Sequence, residues 1–114
     1  MTKTITREQI KQKLDANEPI TLVEALPVRY YNDAHLPGAI NIPHDEIREK
    51  APQMLPDKDA LIVVYCASTE CRNSQIATNL LQQMGYDNAH EYVEGKQHWL
   101  EAELPVAQGR GEAA

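Results

Sequence analysis

Apolar and polar positions along this chain switch repeatedly between helical and strand spacing. Thr6 with Gln9 reads as a capping box, and the helix it opens runs to about Asn17, with Ile10 and Leu14 on one face. Glu18-Pro19 ends it. Residues 20–25 (Ile-Thr-Leu-Val-Glu-Ala) predict a strand and residues 27–34 a short helix. Residues 35–43 predict a turn, a very short strand and a stop at Pro43, and residues 44–50 a helix with Asp45 and Glu46 in its first turn. Residues 61–65 (Leu-Ile-Val-Val-Tyr) are a continuous apolar run, the pattern of a strand covered on both faces. Residues 72–84 predict a helix whose apolar stripe is Ile76, Leu80, Leu81 and Met84, with Gly85 as its C-terminal cap. Residues 89–93 predict the last strand, Glu94-Gly95-Lys96 a turn, and residues 97–101 a short helix. Strands alternating with helices predict an α/β domain on a mostly parallel sheet. No internal repeat or linker interrupts it.

Composition narrows the picture. The 114 residues fit one domain, assigned here to residues 1–106 with 107–114 as a disordered tail. Phe is absent and Trp occurs once, so Leu, Ile, Val and Tyr must build most of the core. The net charge is −6 with no basic cluster, which argues against nucleic acid or an anionic membrane as partner. No apolar run approaches a membrane span, and the N-terminus lacks the apolar core of a signal peptide. A cytoplasmic location is the expectation. Two cysteines in such a chain point to catalysis or redox chemistry rather than to a structural staple.

Cys66 carries the chemistry. It ends the most apolar strand and begins the polar loop Ala67-Ser68-Thr69-Glu70-Cys71, which leads into the helix starting near Arg72. In open α/β sheets, sites lie beyond the carboxyl ends of strands. A helix N-terminus offers unpaired N–H groups and a positive dipole end, which predict a reactive thiolate and an oxyanion subsite in one segment.

Three stretches give this chain a family likeness. They are His35-Leu36-Pro37-Gly38-Ala39-Ile40-Asn41-Ile42-Pro43, then Val63-Val64-Tyr65-Cys66 with its loop and helix, then Met84-Gly85-Tyr86 with Glu94-Gly95 and Trp99. In this order and spacing the chain resembles a single-domain rhodanese, a sulfurtransferase-type module. The resemblance implies a five-stranded, mostly parallel sheet with helices on both faces. It implies that Cys66 accepts a sulfane sulfur as a persulfide and passes it to a thiophilic acceptor, cyanide or a thiol, on a small molecule or a protein. The donor would be a small sulfur-containing anion such as thiosulfate, and no metal or organic cofactor would be needed. Donor-binding residues would be Ala67, Ser68, Thr69, Glu70, Cys71 and Arg72, through backbone amides and through the side chains of Ser68, Thr69 and Arg72.

The departures are informative. The family's Asp-Val-Arg segment is replaced by Glu24-Ala25-Leu26, so Glu24 stands for the Asp and the Arg is gone. Five residues separate Cys66 from Arg72, a spacing that resembles the tyrosine-phosphatase-like and arsenate-reductase-like relatives of the fold, although Tyr65 stands where a phosphatase often has His. A second alignment ends the loop at Cys71 and leaves Arg72 on the helix. Cys71 has three readings: a thiol that resolves an oxidised Cys66, a metal ligand, or a packing residue. A non-enzymatic redox or sulfur-binding sensor through Cys66 and Cys71 follows from the first. His35, His44, His90 and His98 match no compact zinc spacing. His35 and Gly38 read as turn architecture, and Trp99 as core.

Overall fold

The computed structural model describes residues 3–108. The predicted helix–strand alternation is present, as α1 (Arg7–Asp15), β1 (Thr21–Glu24), α2 (Val28–Asp33), β2 (Ile40–Asn41), α3 (Ile47–Met54), β3 (Ile62–Tyr65), α4 (Asn73–Gln83), β4 (Ala89–Tyr92) and α5 (Gly95–Glu101). A 3-10 turn, His44–Glu46, leads into α3. The Thr6–Gln9 capping box forms in both directions. Gly85, at φ +101°, ends α4, and the Tyr86 N–H reaches back to the Leu81 carbonyl.

All strands pair in parallel, in the order β2-β1-β3-β4. The register sets Val23 beside Val64, Val64 beside Glu91, and Tyr65 between Glu24 and Tyr92. Alternation along each strand then separates two cores. One face packs Val23, Ile62, Val64 and Ala89 against Ile47 and Ala51 of α3 and Ala77 and Leu81 of α4. The other packs Leu22, Val63, Tyr65 and Tyr92 against Ile10 of α1, Tyr31 of α2 and Trp99 of α5. β3 is buried on both faces, which favours the apolar run its sequence shows. Among the described residues no helix is long and apolar enough to cross a membrane.

Three expectations change. The sheet has four strands among the described residues, not five. Beyond β4 lies a single parallel bridge, Thr4 to Glu91, with Ile5 N–H on the Glu91 carbonyl (3.0 Å) and Glu91 N–H on the Lys3 carbonyl (2.8 Å). Thr6 caps α1 directly afterwards, so the chain leaves the sheet edge before a strand can grow. The buried stripe of α4 is Ser74, Ala77, Thr78 and Leu81, and Ile76 is 44% exposed. Of the predicted stripe, Leu81 is buried and Leu80 and Met84 pack partly buried against the same core, while the small residues Ser74, Ala77 and Thr78 take the innermost positions. Third, Ala107 is not a loose tail residue: it exchanges two backbone hydrogen bonds with His35 (2.8 and 2.9 Å). The rest of the expected tail, from residue 109 on, lies outside the described residues.

β1 is followed by a connection to β2 on one side, whereas β3 is followed by a connection to β4 on the other. The carboxyl ends of β1 and β3 therefore flank the crevice where connections diverge, the usual ligand position in such sheets. Cys66 is the first residue beyond β3.

Candidate active site around Cys66

Two backbone amides of α5 hold the Cys66 loop from below. The Lys96 N–H donates to the Cys66 carbonyl (2.8 Å) and the Gln97 N–H to the Ala67 carbonyl (2.9 Å), so the first turn of α5 caps the loop with its own orphan amides. Gly95 makes that approach possible. At φ +76°, an added Cβ there would lie 2.6 Å from the Cys66 carbonyl oxygen and 3.0 Å from Ser68 N. The residue expected in a turn is thus the first of α5 and the floor of the loop.

The loop folds on itself. The Cys71 N–H donates to the Ser68 carbonyl (3.1 Å), and the Glu70 N–H to Ser68 Oγ (3.4 Å). Two amides expected to face an anion are therefore turned toward Ser68 in this conformation. Ala67, Thr69 and Glu70 are exposed, Ser68 and Cys71 are half-buried, and Arg72 is exposed at the N-cap of α4. Arg72 thus belongs to the helix start. Beside the loop, a depression of about 210 Å³ is lined by Ser68, Thr69, Glu94, Gln97, His98 and Glu101.

Cys66 itself is buried, and its Sγ–H is shared between the Cys71 carbonyl and Ser74 Oγ, each at 3.3 Å. The predicted low thiol pKa is overturned. Burial, with a contact from Cys71, pushes the thiol up to about 11, and Ser74 pulls only partly against this. The α4 N-terminus does act on the sulfur, through Ser74, but desolvation is the larger effect.

Ser74 continues the contact. Its hydroxyl donates to Glu91 Oε2 at 2.8 Å, and both residues are buried. Sequence reading passed over both. Glu91 left one signal, an acid at an inward position of a strand whose partner, Val64, precedes Cys66 by two residues.

On the opposite face, Glu24 accepts from Lys96 Nζ (3.0 Å) and from the Tyr65 hydroxyl (2.9 Å). Lys96 also donates to the Tyr30 and Ala34 carbonyls (2.9 and 2.6 Å), and the Leu36 N–H donates to the Tyr65 oxygen (3.1 Å). Lys96 from α5 thus supplies Glu24 with a buried cation. Burial raises the Glu24 carboxyl while the Lys96 ammonium pulls it down, and burial holds the Tyr65 phenol well above its usual value.

The histidines build structure. His35 is buried, stacks on Tyr31 at 3.8 Å, and donates from Nδ1 to the Tyr31 carbonyl (2.8 Å). His98 joins the Tyr92 hydroxyl (2.8 Å) to Arg7 (3.1 Å). Trp99 is fully buried and donates from its indole nitrogen to the Pro105 carbonyl (2.8 Å). Among the described residues no three His, Cys, Asp or Glu side chains are grouped to hold a metal ion.

Known proteins are similar to this chain in sequence and fold. The chain is 33% identical over 105 residues to the HTH-type transcriptional regulator Rv0324 of Mycobacterium tuberculosis, covering 92% of this chain and 45% of that protein. It is 41% identical over 56 residues to the thiosulfate sulfurtransferase PspE of Escherichia coli, covering 49% of this chain and 52% of that one. A solved structure described as rhodanese with anions from E. coli superposes with a TM-score of 0.66 at 30% identity, covering 79% of this chain and 99% of that one. The chain spans about half the length of the curated relatives it matches most strongly. The profile of the family described as Rhodanese-like domain matches residues 6–102. With a parallel sheet, a cysteine at the carboxyl end of β3 and a loop capped by α5, the chain belongs to the rhodanese-like domain family, whose members include sulfurtransferases.

Proposed function

We propose that this chain is a sulfurtransferase that carries a sulfane sulfur as a persulfide on Cys66. The donor is a small sulfur-containing anion such as thiosulfate, and the acceptor is thiophilic: cyanide in vitro, a thiol or protein in the cell. The observation that carries this reading is the position of Cys66, at the carboxyl end of β3, in the diverging crevice, with its loop pinned by α5. The likeness to PspE supports the substrate class.

The steps follow from the site. The Cys66 sulfur attacks the outer sulfur of the donor, an S–S bond forms, and sulfite departs with the electron pair of the broken bond. The acceptor then attacks the outer sulfur of the persulfide and Cys66 returns. Opening of the Ser68–Cys71 turn frees the Glu70 and Cys71 N–H groups to join those of Ala67, Ser68, Thr69 and Arg72 around the anion. Ser68, Thr69 and Arg72 supply side-chain contacts, and Glu70 points to solvent. Intact mass of the reduced protein after thiosulfate, with a cyanide chase, tests this. The expected result is a gain of one sulfur on Cys66, removed as thiocyanate and absent in Cys66→Ala. No cysteine-dependent adduct, and no thiocyanate, would refute the assignment for this donor.

One observation favours a second reading. The Cys66 thiol already bonds the Cys71 backbone, so both sulfurs belong to one turn. A disulfide sensor would show a Cys66–Cys71 linkage in a non-reducing peptide map after mild oxidation, and an intact free Cys71 would exclude it.

A further inference from the structure

We infer that Glu91 activates Cys66 through Ser74, receiving the thiol proton by way of the serine hydroxyl as the sulfur attacks. The inference rests on Cys66 being the nucleophile, as proposed above. Ser74 has one hydroxyl proton, and the 2.8 Å contact commits it to Glu91 Oε2. A lone pair of Ser74 Oγ is then what meets the Cys66 Sγ–H at 3.3 Å. Along this line sulfur donates to serine and serine to carboxylate, and the Cys71 carbonyl, also 3.3 Å from the sulfur, is the second acceptor for the thiol proton.

The fold imposes this line. Glu91 is paired with Val64 and Cys66 lies two residues further on, just beyond β3, so both side chains emerge on the α4 face. Ser74, in the first turn of α4, fills the gap between them. An unneutralised carboxylate is costly to bury, and an aliphatic residue would suit this inward position better. Glu24, the other buried acid at this end of the sheet, is met by an ammonium and a phenol. The hydrogen bond that the Glu91 carboxylate receives comes from the serine that touches the nucleophile.

The step balances. The Cys66 S–H bond breaks and its proton passes to Ser74 Oγ. The Ser74 O–H proton passes to Glu91 Oε2. The electron pair stays on sulfur and forms the new bond to the electrophile, whose leaving group departs with its own pair. Ser74 ends unchanged and Glu91 ends neutral. A buried thiol that is protonated at neutral pH needs such an acceptor, because little free thiolate is available. Ser74 touches the reacting sulfur; Glu91 acts through it and is a positioning residue.

Other titratable or charged groups surround this line. Cys71 and Glu70 lie in the loop, and Arg72 is exposed at the α4 cap. Lys96 offers its N–H to Cys66 while its ammonium serves Glu24 on the opposite face. Lys3 flanks Glu91 with its ammonium on the Asp87 carbonyl, and His90 turns to the Asn88 carbonyl. The Cys71 carbonyl also accepts from the Cys66 sulfur (3.3 Å); the other groups take no part in the line from sulfur to carboxylate.

Alkylation of Cys66 by iodoacetamide between pH 5 and 9 tests the inference without requiring sulfur transfer. The adduct is read by peptide mass, so that Cys71 is scored separately. Glu91→Gln keeps the shape and the serine hydrogen bond, and its thermal melt reports folding. At neutral pH its rate should fall about tenfold to a hundredfold. Ser74→Ala should lose as much, and the double variant no more, as expected for groups acting in series. The wild-type chain should also show a normal solvent isotope effect with a curved proton inventory, since two protons move; this reading needs no variant to fold. Glu91→Gln alkylating as fast as wild type or faster would overturn the inference, because removing a mere like-charge neighbour should increase thiolate. An inverse isotope effect would do the same. A chain that passes these tests but takes no sulfur from thiosulfate would lose the proposed function and keep the relay. If Glu91→Gln forms the persulfide as fast as wild type, the relay alone is lost.

Discussion

Two buried glutamates stand near the same end of the sheet, on opposite faces, and their surroundings differ. Glu24 is fully buried and bonded to Lys96 and Tyr65; Lys96 in turn bonds the α2 carbonyl of Tyr30 and that of Ala34. These contacts tie β1, α2, β3 and α5 together. Glu91 has Ser74, and behind it Cys66. A carboxylate enclosed by a cation and a phenol is a structural lock, whereas Glu91 is bonded to a hydroxyl that stands in line with a thiol. The comparison teaches that residue type does not define role; the partners supplied by other elements do. Breaking the first should be read in stability and breaking the second in reactivity.

The largest expected effect is total. Cys66→Ala should abolish the mass gain with thiosulfate while the thermal melt stays close to wild type, because the line from Glu91 serves the sulfur and not the fold. Next comes the lock. Lys96→Met leaves Glu24 buried without its cation and should cost about 3–5 kcal/mol, measured by urea unfolding. Glu91→Gln keeps its serine bond and should cost under about 1 kcal/mol in the same assay. Equal losses at the two sites would erase the distinction.

Gly95→Ala should fall between them. Its Cβ would meet the Cys66 carbonyl at 2.6 Å, so the loop must shift, at a cost of about 1–3 kcal/mol together with slower alkylation of Cys66. A full-rate variant would show that the loop position is unimportant to the thiol.

The pH response sharpens the second site. Burial lifts the Cys66 thiol from its ordinary 9.0 to about 11. The folded chain then holds this proton more tightly than the unfolded chain. The group's contribution to stability is fully present below pH 9.0 and is lost as pH rises toward about 11. An NMR titration of ¹³Cβ-labelled cysteine, assigned with Cys71→Ser, should give the Cys66 signal a midpoint near 11, and a midpoint below the ordinary thiol value would contradict the burial argument. The smallest effect is expected at Ile76, where Ile76→Gln should change stability by no more than about 0.5 kcal/mol, since that side chain is largely exposed. Leu81→Ala, on the same helix but in the core, should cost about 2–5 kcal/mol.

Ile76 and Leu81 also mark where local pattern stops being informative. Helical spacing located α4, but its buried face follows from how closely Ser74, Ala77 and Thr78 let the helix approach the sheet, which no hydropathy scale ranks. Lys96 is similar. A lysine in a predicted turn reads as solvent-facing, and only the packing of α5 under β1 and α2 reveals it as the buried partner of Glu24.

What the chain determined by itself was local. The Thr6 capping box, the apolar run of β3, the Gly85 cap and the position of Cys66 at a strand's end depend on residues within a few positions of one another, where side-chain spacing and backbone propensity act directly. What tertiary structure alone decided joins distant segments: Lys96 with Glu24 across 72 residues, Ser74 with Glu91 across 17, and Gly95 against the Cys66 carbonyl. The sign of the thiol's pKa shift belongs there too. A helix N-terminus lowers it and burial raises it, and only the packed fold sets how much water reaches the sulfur.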